Sequence, residues 1–291
     1  AQRVYENILR LLRTNYSMKS VADLFNVSVS TVSRVFDITS YSLYRLPEII
    51  SIDEFKGNAD GEKYQVIITN PKNKKVLDVL PNRQKTHLFD YFRQFNNRKT
   101  VKLVIMDMWQ SYYDVCKTMF PNAKIIIDKY HYIRQVYWAL DRVRKRVQKA
   151  FGKHKRIYFK HSKKLLFAPY EKLNPDSKQA LRIMLSQHFD LQEAWQLKEI
   201  FATVRKSTDY ETGRKNLRDF ILTAQECNIP EFKDCITALS NWSNPILNSF
   251  DYPYTNGFTE GINNKIKVLK RNAYGYRNFK RFRNRILHIC A

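Results

Sequence analysis

"VKLVIMDMWQSYYDVCKTMFPNAKIIID", residues 101–128, decides the fold class. "VKLVIMD" and "AKIIID" are short apolar runs with the length of buried strands, and each ends on an acid, Asp107 or Asp128. Between them "QSYYDVCKTMF" has helical period. Toward the N-terminus, "KTHLFDYFRQF" (85–95) is also helical in period. "KYQVIITN" (63–70) and "KKVLDVLP" (74–81) flank the turn "PKN" as a hairpin. "EIISIDEF" (48–55) is a β-branched run ending in acids, among them Asp53. Three strands followed by alternating helix and strand imply an α/β fold built on a mixed sheet.

Beyond residue 128 the character changes. Residues 129–164 are heavily basic, including Arg142, Arg144, Lys145, Arg146, Lys153, Lys155, Arg156, Lys160 and Lys163, against the single acid Asp141. Residues 165–245 read as helix throughout, without strand signals. A helical stretch of roughly 110 residues thus interrupts the α/β domain, and the chain returns to it in "YTNGFTEGINNKIKVLKRNAYGYRNFKRFRNRIL" (254–287). At the other end, "SMKSVADLFNVSVSTVSRVFD" (17–37) reads as helix, tight turn, helix. Ser28 is the N-cap of the second helix, and Val29, Val32 and Val35 face inward. Ser30, Thr31, Ser33 and Arg34 face out, short and polar, as a major-groove helix requires; the plainer alternative is a small helical packing unit. "SYSLYRLP" (40–47) reads as a linker.

The 291 residues hold 51 Lys plus Arg against 27 Asp plus Glu, a net charge of +24. So basic a chain is expected to meet a polyanion, nucleic acid first and an anionic membrane surface second. No apolar stretch is long enough to span a bilayer, and no signal pattern opens the chain, so the expected compartment is the cytoplasm with the nucleoid. Cys116, Cys227, Cys235 and Cys290 show no paired spacing and read as reduced core thiols. The chain begins at Ala1 without Met, so an N-terminal piece is expected to be missing.

Asp53 and Asp107 close apolar strands, where a rigid sheet aims a carboxylate into the crevice beyond it. Two such groups on adjacent strands repel, and one is driven neutral unless a cation lies between them. Oxygen-only ligands favour Mg²⁺ or Mn²⁺ over zinc. Taken singly, each Asp is equally an ordinary turn former. Glu260 is the one acid in residues 254–287, at the head of a helix that Thr255 or Asn256 would cap. It is either a third ligand or an acid favoured by the helix dipole. Asn263 and Asn264 lie one turn on and Lys267 two turns on, which suits a metal at one end and a DNA backbone along the face.

The segments "SIDEF", "VIMDMWQSY", "DKYHYIRQV" and "TNGFTEGINNKIKVLKRNAYGYRNFKRFRNRI" resemble bacterial insertion-sequence transposases of the ISL-three type. The resemblance runs from about residue 17 to the C-terminus, and the last motif is its most specific part. It implies a ribonuclease-H-like fold with Asp53, Asp107 and Glu260 as a catalytic, metal-binding triad for two Mg²⁺ (or Mn²⁺) ions. It further implies phosphodiester cleavage followed by transesterification. The implied organisation is a helix-turn-helix domain over 1–45, catalytic core over 46–134 and 246–291, and an all-helical insertion domain over 135–245. Lys267 matches a basic residue that contacts transposon-end DNA, and Lys270 and Arg271 continue that face. Asp128 and His131 match an Asp-x-x-His signature that helps position the scissile strand; equally, His131 is a helix-start residue bonded to Asp128. Trp109 fits the family pattern as well as it fits a core. Tyr274, Tyr276 and Phe279 either pack the last helix or stack on unpaired bases. The family's cysteine-rich segment ahead of the helix-turn-helix has no counterpart here. Partners would be transposon-end and target DNA, with a homodimer expected because two ends must be joined. Rival readings are a catalytically inactive DNA-binding regulator and a nuclease of the same fold without strand transfer.

Overall fold

The computed structural model describes residues 2–151, 159 and 162–290; Lys153, Lys155, Arg156 and Lys160 of the basic run lie outside them. The chain forms two compact units, Ala1–Ile125 with Tyr254–Ala291, and Ile126–Pro253. The stretch read as an insertion, 135–245, lies inside the second, which is wider at both ends.

In the first unit, α1 (Gln2–Leu12), α2 (Met18–Phe25) and α3 (Val29–Asp37) enclose a small core of Ile8, Leu12, Val21, Ala22, Val32, Val35 and Phe36. The Ser17 and Ser28 side chains cap α2 and α3, accepting from Ser20 N–H and Thr31 N–H. Asn26 ends α2 at φ +50°, the left-handed turn that Asn tolerates well. Val29 is exposed rather than inward: it is the first residue of α3, and Phe36 fills the core place at the other end.

The sheet runs β3-β2-β1-β4-β5, with β1 Ile49–Ala59, β2 Glu62–Asn70, β3 Lys75–Leu80, β4 Leu103–Met106 and β5 Lys124–Ile127. β1 pairs antiparallel with β2 and parallel with β4, so the sheet is mixed, consistent with a ribonuclease-H-like core. β1 is longer than its apolar run. Asp60 (φ +48°) and Gly61 (φ +77°) form a tight Asp-Gly turn that carries the polar "KGNA" into the β2 ladder. α4 (Lys85–Arg93) and α5 (Gln110–Met119) follow β3 and β4.

α13 (Gly257–Asn272) and α14 (Phe279–Cys290) cover the sheet around Phe55, Ile67, Val79, Ile266, Leu269, Phe282 and Ile286. α14 also anchors the N-terminal helices. Fully buried Arg285 donates to the Thr14 and Tyr16 carbonyls at 3.1 and 2.6 Å, which discharges carbonyls that otherwise lack donors. Arg281 binds Asp37 through two nitrogens at 2.9 and 2.6 Å.

The second unit is helical among its described residues beyond β5: α6 (Lys129–Ala150), α7 (Ser162–Phe167), α8 (Pro175–Leu185), α9 (Phe189–Arg205), α10 (Tyr210–Glu226), α11 (Lys233–Asn241) and α12 (Ser243–Asn248). Much of its basic run is engaged internally. Buried Asp141 meets Arg144 at 2.8 Å and Lys145 at 2.9 Å, with Lys163 at 3.9 Å. Arg146 binds Glu231 at 2.6 Å and Asp190 at 2.7 Å. These cations stabilise the helical unit before they meet any phosphate.

Candidate active site

The β1–β4 ladder ends with Ile52 opposite Met106. The next residue on each chain is an aspartate. Asp107 lies just past the end of β4, whereas Asp53 lies within β1, which runs on to Ala59 and is not closed by it as its apolar run suggests. One further step of the same parallel register would bring the two aspartates side by side. Asp53 is 8% exposed. Its Oδ1 accepts from the Glu54 N–H at 2.7 Å and its Oδ2 from Asn263 Nδ2 at 2.9 Å. Two donors on a buried carboxylate fix its rotamer.

α13 lies along β1 with helical spacing meeting strand alternation. Asn256 Oδ1 accepts from the Ser51 hydroxyl, and Thr259 Oγ1 sits 2.8 Å from Thr69 Oγ1 and 3.3 Å from Ser51 Oγ. Asn263 reaches Asp53, Ile266 packs with Phe55, and Lys270 Nζ donates to the Lys56 carbonyl at 2.6 Å. Positions 256, 259, 263, 266 and 270 form one stripe, against Ser51, Asp53 and Phe55 on one face of the strand. Asn256 thus spends its side chain on the sheet and does not cap α13; Thr255 Oγ1 accepts from Gly257 N–H instead, at 3.3 Å. Asn263 faces the buried aspartate rather than DNA.

Glu260 flanks that stripe. It is exposed, one turn before Asn263 and about 60° around the helix from it. Among the described residues, no three His, Cys, Asp or Glu side chains stand close enough to hold a metal ion. Glu260 lies on the shoulder of the adjoining helix, away from the stripe that meets Asp53.

A further cluster lies at residues that periodicity did not single out. Glu54 follows Asp53, so strand alternation sends it to the opposite face. Arg83 Nη1 donates to both its oxygens, at 2.7 and 2.9 Å, and the Arg83 guanidinium lies 4.5 Å from the Tyr64 ring and 4.8 Å from the Trp109 ring. Trp109 is thus a platform for a cation, edge-on to Tyr112 at 4.5 Å. The Tyr112 hydroxyl donates to Glu54 Oε2 at 3.4 Å. Burial, together with the negative charges of Glu54, Asp53 and Asp107, holds its phenol well above the usual range, so it stays protonated. The one sequence signal for this cluster was the doublet Asp53-Glu54.

Of the residues read as facing DNA, Lys267 is exposed, with its ammonium 3.1 Å from Asn264 Oδ1, and Arg271 is exposed at the end of α13. Lys270 is tied to Lys56, and burial followed by the Lys56 charge lowers its pKa. On α3, Ser30 and Arg34 are exposed, and Arg34 reaches Thr31 Oγ1 at 3.4 Å. Ser33 turns inward and donates to Met18 Sδ at 3.3 Å, a correction to its outward reading. Asp128 and His131 belong to the second unit. Asp128 is the N-cap of α6, accepting from Tyr130 N–H at 2.9 Å, and His131 N–H donates to the Asp128 backbone carbonyl at 3.1 Å.

The transposase family model of the ISL3 type, a DDE family, matches residues 50–286, and the chain belongs to that family. It is similar to the transposase for insertion sequence element IS1001 of Bordetella parapertussis, 26% identical over 96% of this chain and 71% of that protein. It is also similar to the transposase for insertion sequence element IS1557 of Mycobacterium tuberculosis, 22% identical over 94% and 68%. A shorter stretch, 33% of this chain, is 35% identical to 30% of a Lactococcus lactis protein named as an ATP-dependent protease.

Proposed function

We propose that the chain cuts and joins the DNA ends of an insertion sequence, with Asp53, Asp107 and Glu260 holding two Mg²⁺ or Mn²⁺ ions. The observation that supports this reading is the β1–β4 register, which ends with Ile52 opposite Met106 one residue before each aspartate, together with the Asn263 bond that ties α13 to Asp53. The donor set is oxygen-only, which suits these ions. When bound, they supply charge neutralisation at the scissile phosphate and acidity to the attacking hydroxyl.

The chain's own groups do the rest. Asp53 is held in one rotamer by Glu54 N–H and Asn263. Three carboxylates gathered without a counter-charge repel, so Glu260, one helical turn from Asn263, would complete the ligand set with the aspartates only when a cation is bound. α2 and α3 act as a helix-turn-helix, with Ser30, Thr31 and Arg34 toward the major groove. Lys267 and Arg271 meet phosphates and fix the register of the duplex. The substrates are transposon-end and target DNA, and joining two ends calls for a homodimer on DNA. Asp128 and His131 are assigned to positioning of the scissile strand.

The test uses DNA carrying the element's ends, with Mg²⁺. Wild type should yield nicked and strand-transferred products, and Glu260→Gln should bind equally while losing a factor on the order of 10²–10³ or more in rate. Wild-type-like cutting by Glu260→Gln refutes the triad. Binding without cutting by the wild type identifies an inactive regulator, and cutting without joining a nuclease.

A further inference from the structure

The turn joining α13 to α14 carries a side chain that the proposed reaction does not use. Tyr274 is completely exposed, at 101% of its reference area, and its φ of +54° lies in the left-handed region. α13 ends in a Schellman motif: Gly275 N–H donates to the Lys270 carbonyl at 2.9 Å, and Tyr274 N–H to the Arg271 carbonyl at 3.2 Å. Tyr274 thus occupies the place that glycine favours, although Gly275 follows immediately. A β-carbon there strains the backbone, and the ring gains no packing in exchange. Its aromatic neighbours behave otherwise. Tyr276 stacks on Phe282 with ring centres 4.6 Å apart and planes 13° apart, and Phe279 packs against the sheet core.

The ring stands on a ridge between two grooves of the first unit. One is lined by Asn15, Ser17, Ser20 and Arg271, the other by Lys19 and Arg277. Asn272 Nδ2 donates to the Asn15 carbonyl at 3.1 Å and fixes the ridge to the N-terminal segment. Among the described residues, Arg271, Arg277 and Lys19 are exposed and have no acidic partner. A flat, unhindered ring between cations, above a floor of hydroxyls and amides, matches the chemistry of a nucleotide: a base face, flanking phosphates, and sugar or base-edge polar atoms. Paired bases already have both faces stacked, so the ring suits a base outside a duplex.

We infer that Tyr274 is a stacking platform for an unpaired base of the DNA, with Arg271 and Arg277 holding the phosphates on either side. This rests on the reading that DNA is the substrate, and it adds the class of DNA structure that the chain selects: ends carrying a single-stranded extension, over blunt duplex.

The experiment measures binding of the full chain to a short blunt duplex and to the same duplex with a single-stranded extension. Tyr274→Gly relieves the left-handed strain, so it should fold at least as stably as wild type, which a thermal melt verifies. It should bind blunt DNA unchanged and lose roughly five-fold to a hundred-fold in affinity for the extended DNA. Tyr274→Phe should keep the preference. A fluorescent adenine analogue in the extension should be quenched by wild type and by Tyr274→Phe, and not by Tyr274→Gly. Equal affinities of wild type and Tyr274→Gly for the extended DNA overturn the inference. So does an equal loss on both DNAs, which assigns the turn to general phosphate contact. Failure of the wild type to bind either DNA overturns the proposed function itself.

Discussion

Asn263→Ala removes a side-chain donor that links α13 to Asp53. The bond is 2.9 Å long, and both residues are 8% exposed. A hydrogen bond to a charged acceptor contributes about 1.5–3 kcal/mol, so the expected loss is about 2 kcal/mol, somewhat more if the space beside Ile266 stays open. At about 2–4 °C per kcal/mol, the midpoint of the first unit should fall by roughly 4–8 °C. The two units need not unfold together, so the probe must be local. Trp109 lies in the first unit, and Trp138, Trp195 and Trp242 lie in the second. A background with those three changed to Phe leaves Trp109 as the reporter for urea unfolding. In the Asp53→Asn background the acceptor is neutral, and Asn263→Ala should cost about 1 kcal/mol less than in wild type. Strict additivity, within about 0.3–0.5 kcal/mol, would refute the claim that this pair positions the helix of Glu260.

Lys267→Ala should lower the salt slope of DNA binding by about one and weaken all sequences alike, as measured by titration across ionic strengths. Lys270→Ala should change that slope less, because its ammonium is spent on the Lys56 carbonyl. His288 supplies a pH dependence. Its Nε2 donates to the Leu9 carbonyl at 2.7 Å, so Nδ1 is the acceptor for the Tyr41 hydroxyl. Burial is the main cause that lowers its pKa below 6.5, so the folded chain binds fewer protons than the unfolded one. Stability is then full above 6.5, falls as pH drops through that value, and levels off below the folded pKa. His288→Gln should flatten the melting temperature between about pH 7 and pH 5, where this imidazole titrates.

β1, β4 and β5 were legible because apolar runs of strand length meet acids at 53, 107 and 128. The tail of β1 was not, because "KGNA" has no apolar period; the Asp60-Gly61 pair was the available signal, and it is a backbone signal rather than a hydrophobic one. On α13, composition implied a polar face turned to DNA. In fact Asn256, Thr259 and Asn263 bond to Ser51, Thr69 and Asp53, because buried strand hydroxyls and a buried carboxylate need partners. Period alone cannot separate a polar stripe that meets water from one that meets such groups. Likewise the basic run after residue 128 gave its charge and hid its bookkeeping: Asp141, Asp190 and Glu231 come from separate stretches of chain and take up part of it. The positions of Asp53 and Asp107 along their strands were the more readable part of the proposed site, and the position of Glu260 the less. A side chain whose place depends on a counter-charge is set by electrostatics rather than by periodicity.

A structure determined with Mn²⁺ would show whether Asp53, Asp107 and Glu260 share a metal, since the ion can be located by its anomalous scattering. The account predicts Mn²⁺ bonded to Asp53 and Asp107, with the Glu260 carboxylate drawn in from the shoulder of α13 to join them. Mn²⁺ missing from the two aspartates, or held there with Glu260 still turned to solvent, would contradict it.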